Sequence, residues 1–171
     1  MNTLRLSERS DENIIKLPKV SNGSHWFCTP QRIEMLEREA IRWIGTPFYP
    51  NSNTCGPDGG VSCQKLVSEI YRTIGCCDVM VPEVSMAHAR FSRKSLVEEF
   101  MAMCPQFNPI SIQGLIPGDL LGFRIGRIVH HLGISMGRGY FIHVMEHCGT
   151  VIASLSDGTW SSRLALAWRP L

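Results

Sequence analysis

No apolar run in the 171 residues approaches the roughly 20 residues that a membrane-spanning helix requires, so a membrane is not an expected partner. The first twelve residues, Met1 to Glu12, lack the apolar core of a secretory signal. The expectation is a chain made in the cytoplasm, with export by another route left open. Charge of one sign is also lacking. Seventeen Lys and Arg against fifteen Asp and Glu leave +2, and the cations are scattered rather than clustered, which excludes a nucleic-acid stripe. Cysteine is present but unpairable as a framework: seven is odd, and no signal directs the chain to an oxidising compartment. Zinc spacing is missing too, since Cys76 and Cys77 are adjacent with no second pair to complete four ligands. Neither an internal repeat nor a low-complexity tract is visible.

What remains is the pattern of one soluble α+β domain. Residues 1–24 read as a polar arm broken by Pro18 and Asn22-Gly23, with at most a short packed piece at Ile14–Leu17; residues 25–171 read as the domain. Pro30 opens a helix with apolar positions Ile33, Leu36, Ala40, Ile41 and Ile44, stopped by Gly45. A turn-rich loop over 45–62 leads to a second helix, capped by Ser62 and ended at Gly75, with Leu66, Val67, Ile70, Tyr71 and Ile74 on one face. A third helix is predicted over 85–103. From Ile116 the period becomes that of short strands separated by glycine turns, among them Gly137-Arg-Gly139 and Cys148-Gly149.

Cys63 falls in the first turn of the second helix, where free N–H groups and the helix dipole favour a thiolate; the plainer reading is a small buried residue. Gln64 and Lys65 follow it, which places that turn next to solvent. A cysteine nucleophile needs a base, and the base a partner. His131 and His143 stand on strands joined by the Gly137–Gly139 turn, so their side chains can meet on one face. His130 is a rival base on the opposite face.

The runs Trp43-Ile-Gly-Thr-Pro-Phe48, Gly60-Val-Ser-Cys63-Gln-Lys-Leu-Val, Pro117-Gly-Asp-Leu-Leu-Gly-Phe123 and His131-Leu-Gly-Ile to His143 occur in that order. Together they resemble the NlpC-type cell-wall cysteine peptidases, a papain-like α+β family, over residues 31–170. The resemblance implies a nucleophile at a helix start packed on a five- to six-stranded antiparallel sheet. It makes Cys63 the nucleophile, His131 the base and His143 its orienter, with no metal or organic cofactor. Ser62, Gln64, Lys65 and Tyr49 are the positions that it brings towards substrate. The substrate implied is a peptidoglycan stem peptide, cut at an amide beside a D-glutamyl or diaminopimelyl unit. The tail from Gly149 to Pro170 resembles the phage and prophage branch, which implies phage tail proteins as partners and a virion-associated location. The family's Asp-Cys-Ser-Gly is replaced here by Ser62-Cys63-Gln64-Lys65, which narrows the cleft or changes its substrate. The alternative from another class is a catalytically silent structural part of a phage tail or related assembly with the same fold.

Overall fold

The computed structural model describes residues 25–171; the polar arm expected over 1–24, with its packed piece at Ile14–Leu17, lies outside them. Helix α1 (Pro30–Trp43) starts where the sequence predicts. Thr29 accepts from the Arg32 N–H, and Pro30 stands at the first position, where its missing N–H costs nothing. Its buried face differs from the expected one: Ile41 and Ile44 are exposed, and Leu36, Glu39, Ala40 and Trp43 turn inward. The indole explains the rotation. Trp43 Nε1 donates to Glu39 Oε1 at 2.9 Å and Arg42 donates to Oε2 at 2.7 Å, so the carboxylate can be buried beside a large apolar ring.

The loop over 45–62 carries a small hairpin, β1 (Asn53–Thr54) antiparallel to β2 (Gly60–Val61). Its root is clamped to the far edge of the main sheet. Thr150 N–H and Oγ1 donate to Thr46 O at 2.8 and 3.1 Å, and Gly45 N–H donates to Thr150 O at 2.9 Å. Helix α2 (Cys63–Thr73) follows, capped by Ser62, whose hydroxyl accepts from Lys65 N–H. Leu66, Val67, Ile70 and Tyr71 are fully buried, as the period predicts. Each large apolar side chain in that stripe contributes about 1.5–3 kcal/mol. The Tyr71 hydroxyl keeps a partner by donating to Gly118 O at 2.9 Å.

The third helix predicted over 85–103 is two helices, α3 (Met86–Phe91) and α4 (Leu96–Ala102). Serines break it. Ser92 Oγ bonds both the N–H and the C=O of Lys94. Ser95 caps α4 through Glu98 N–H and donates its own proton to Val129 O in the sheet at 2.5 Å. Val97 of α4 is buried, whereas Leu96 and Met103 are exposed.

The remainder is β3 (Phe107–Ile110), β4 (Leu120–Ile125), β5 (Ile128–Gly137), β6 (Tyr140–Met145), β7 (Gly149–Ser154), α5 (Gly158–Arg163) and β8 (Leu164–Pro170). The six longer strands, β3 to β8, form one antiparallel sheet in the order β3-β8-β4-β5-β6-β7. The α+β architecture, with helices first and an antiparallel sheet after, is therefore the one the sequence predicts. Strand β3 and helix α5 are not foreseen by it. Asp119 makes the corner into β4, accepting from Ile116 N–H and holding Arg169 of β8 through both oxygens at 2.8 Å. One face of the sheet packs on α1 and α2; the other gathers Leu121, Phe123, Phe141 and Trp160.

On that second face Gly133 of β5 lies tight against β6. A Cβ there would lie 2.8 Å from Ile142 O, 2.9 Å from Phe141 Cδ2 and 3.4 Å from His143 Cβ. Gly133→Ala is expected to cost about 1–3 kcal/mol. Urea unfolding should show the midpoint falling with the slope unchanged.

Candidate active site

Cys63 is the first residue of α2, and it is buried. It borders a cavity of about 610 Å³ at the end of the sheet where β4 and β6 finish and β5 begins. The loop ahead of α2 contributes Phe48 and Asn51 to the wall, the segment before α3 contributes Glu83 to Ser85, and α5 contributes Trp160 and Arg163. His130 and His131, from the two faces of β5, both reach the same space.

His131 Nε2 and His143 Nδ1 are hydrogen-bonded at 3.0 Å. The two residues are diagonal rather than directly opposed. Ile134 pairs with Ile142, so the next step of the ladder sets His143 against Gly133, two residues beyond His131. The missing side chain at Gly133 is what lets the rings meet. Trp160 stacks on His131 with centroids 5.4 Å apart and 28° between planes, and meets His143 edge-on at 4.5 Å. Burial in this aromatic box, with His143 as the next cause, pushes His131 down to about 3. Burial pushes His143 down to about 4. Both imidazoles are neutral at neutral pH.

The thiol runs against expectation. Burial pushes Cys63 up to about 11, outweighing hydrogen bonds from the backbone of Leu132, Gln64 and Cys63 itself. The helix start does favour a thiolate, but removing the sulfur from water costs more than those N–H groups return. Of the two polar residues that follow Cys63, Gln64 is not at solvent either, being 2% exposed. The thiol donates to Gln64 Oε1 at 3.2 Å, and Gln64 Nε2 donates to His130 O at 3.3 Å. The second bond decides which end of the amide faces sulfur: the nitrogen must face the carbonyl, so the oxygen faces the thiol. An acceptor against S–H favours the protonated form.

Of the other residues singled out in the sequence, Ser62 lines the cavity while capping α2. Lys65 and Tyr49, also expected towards substrate, are not in its wall. Lys65 is half-buried on the side of the helix near Glu69. Burial raises that carboxyl, but Arg72, Asn53 and then Lys65 bring it below its ordinary value. Tyr49 is 61% exposed and its ring lies against Gly60. His130 donates Nε2–H to Val84 O at 2.7 Å, a structural tie rather than a base facing the thiol. Glu83, Trp160 and Arg163 are wall residues that the sequence reading missed. Asp157, a helix cap before Gly158, is the signal that marks α5; nothing periodic marks Glu83. Among the described residues no group of three His, Cys, Asp or Glu side chains could hold a metal ion.

Gln64→Ser removes the acceptor and admits water. The midpoint of Cys63 alkylation by iodoacetamide against pH, followed by peptide mapping, should fall by roughly half a unit or more. An unmoved midpoint would leave no role for the amide. A second expectation concerns acid. Unfolded imidazoles take a proton near pH 6.5, whereas folded His131 and His143 take it at about 3 and about 4. The unfolded state binds more protons in between, so the stability is whole above pH 6.5 and drains away as pH falls towards those values. Each group can cost up to about 1.4 kcal/mol per pH unit. Tm should drop from pH 7.5 to 4.5, and less steeply in His143→Gln.

With the geometry in view, comparison with known proteins is direct. The sequence profile of the NlpC/P60 family matches residues 49–169. The murein DD-endopeptidase MepS/murein LD-carboxypeptidase of Escherichia coli strain K12 is 36% identical over 62 residues, 36% of this chain and 33% of that protein. The match therefore spans about a third of the curated relative's length. A lipoprotein-like NLP/P60 protein of Staphylococcus aureus superposes with a TM-score of 0.62 at 20% identity, over 88% of this chain and 45% of its own. The peptidoglycan hydrolase RipB of Mycobacterium tuberculosis gives 0.52 at 16% identity, over 81% and 64%. At those identities the structures share the fold. The profile match runs from the loop ahead of Cys63 to the last strand, and on that extent the chain belongs to the NlpC/P60 family.

Proposed function

We propose that the protein is a thiol peptidase that hydrolyses an amide bond in peptidoglycan stem peptides, beside a D-glutamyl or diamino acid residue. One observation supports this reading above the others. The Cys63 thiol and the His131 imidazole share one cavity, and the ring nitrogen of His131 away from catalysis is held by a second imidazole. Membership of a family that includes peptidoglycan hydrolases agrees with it.

The resting pair is a neutral thiol and a neutral imidazole. Proton transfer therefore accompanies attack instead of preceding it. With the shared proton on His131 Nε2, donated to His143 Nδ1, the free Nδ1 lone pair is the base. It takes the thiol proton as sulfur attacks the carbonyl carbon. The first-turn N–H groups of Cys63 and Gln64 stabilise the oxyanion. The imidazolium returns the proton to the departing amine, leaving a thioester. Water, deprotonated by the same imidazole, releases the acid and restores the thiol.

Purified cell wall should release peptides with the wild type and not with Cys63→Ala, read by mass spectrometry on defined muropeptides. His131→Ala should abolish turnover, a loss of at least the 10²–10⁴-fold usual for a general base. His143→Gln keeps an acceptor for the imidazole N–H and should retain part of the activity. A folded His143→Gln as inactive as His131→Ala would remove the orienting role. Wild type without peptide release on any wall would leave the fold serving a structural task.

A further inference from the structure

The cavity contains a pair of groups that the hydrolytic steps do not use. Glu83 lies in its wall. One carboxylate oxygen accepts from Asn51 N–H at 2.7 Å, and the other, Oε2, is buried without a hydrogen-bond partner among the described residues. The ion pairs of the described residues do not include it. Beside it in the chain, Val84 O accepts from His130 Nε2 at 2.7 Å, which puts the ring proton on Nε2 and leaves Nδ1 a lone-pair acceptor. His130 is 5% exposed, burial holds it neutral, and its Nδ1 also lacks a partner among the described residues.

Two acceptors in one wall, one of them on a carboxylate, define what is complementary to them. A buried acceptor without a donor costs about 1–3 kcal/mol, and a carboxylate without a cation costs more. A hydroxyl or an amide would satisfy the lone pairs but leave the charge uncompensated. A primary ammonium has three donors and a positive charge, and satisfies both. Glu83 and Cys63 line the same cavity. A group bound there belongs to a substrate residue close to the scissile bond.

We propose that Glu83, with His130 as second acceptor, forms a subsite for a primary ammonium group of the substrate, the side-chain amine of a diamino acid in a peptide. The choice of peptide rests on the hydrolase reading above; the acceptor pair does not.

The test uses binding to Cys63→Ala protein, so that it is independent of turnover. Two stem peptides serve as probes, one with a free side-chain amine on its diamino acid and a twin with that amine acetylated. Calorimetry should give at least tenfold tighter binding of the free amine, a preference that shrinks as salt is added. In Cys63→Ala carrying E83Q the ratio should fall towards one. The glutamine oxygen can still accept from Asn51 N–H, and a thermal melt checks that the fold is kept. Equal affinity for the twins, no measurable binding of either, or a ratio unchanged by E83Q in a folded protein overturns the subsite. The comparison of twins needs no change at Glu83, so it stands even where E83Q fails to fold. Cleavage by wild type without a binding preference keeps the hydrolase and removes the subsite; a preference without cleavage does the reverse.

Discussion

Burial of one face of α2 against β5 and β6 is the constraint from which the rest follows. Leu66, Val67, Ile70 and Tyr71 are sealed against Leu132, Ile134, Ile142 and Val144 in a single core. A helix fixed along its whole inner stripe cannot slide, so its first residue is delivered to one place. The Cys63 sulfur comes to rest beside the Leu132 backbone, on the strand that carries His131. Tyr71 extends the same anchor to the Gly118 corner, and the Asp119–Arg169 pair holds that corner to the last strand. The site is therefore as rigid as the core, although its chemistry lies at the core's rim.

That origin has an electrostatic consequence. A thiol delivered by core packing arrives desolvated, and burial moves the thiol and the imidazoles in opposite directions: the thiol up, the rings down. Both effects favour the uncharged forms. Gln64 reinforces this, because its tie to His130 O forces an acceptor against the sulfur. The free protein is thus held away from an ion pair by the same contacts that align it.

Elements whose signals are local were legible in the sequence. Helix α2 announces itself through its apolar period and Ser62 cap, and β5 to β7 through alternation and the turns at Gly137 and Cys148. The nearness of His131 to His143 follows from that hairpin, though not its diagonal register, which depends on ladder spacing around Gly133. Local signals misled where a distant partner decides. Trp43 and Glu39 turned α1 away from Ile41. A serine bonded to Val129 O ended what periodicity alone carries through. The direction of the thiol shift was lost for the same reason, since the helix start is visible in sequence and the walls around it are not. Lys65 and Tyr49 stand beside wall residues in the chain, but only folded geometry shows which neighbour turns inward.

The Thr46 clamp on Thr150 does more than root a loop. Strand β7 is an end strand, and end strands offer unpaired N–H and C=O groups to any other extended chain. Gly45 and Thr46 occupy such groups at the start of β7 from within the molecule. At the opposite end β3 carries Pro109, which has no N–H to offer. Both outer strands are in this way blunted from within the chain, β7 where Thr150 is already bonded and β3 where Pro109 has no N–H, so a strand added to either edge would meet an interrupted ladder.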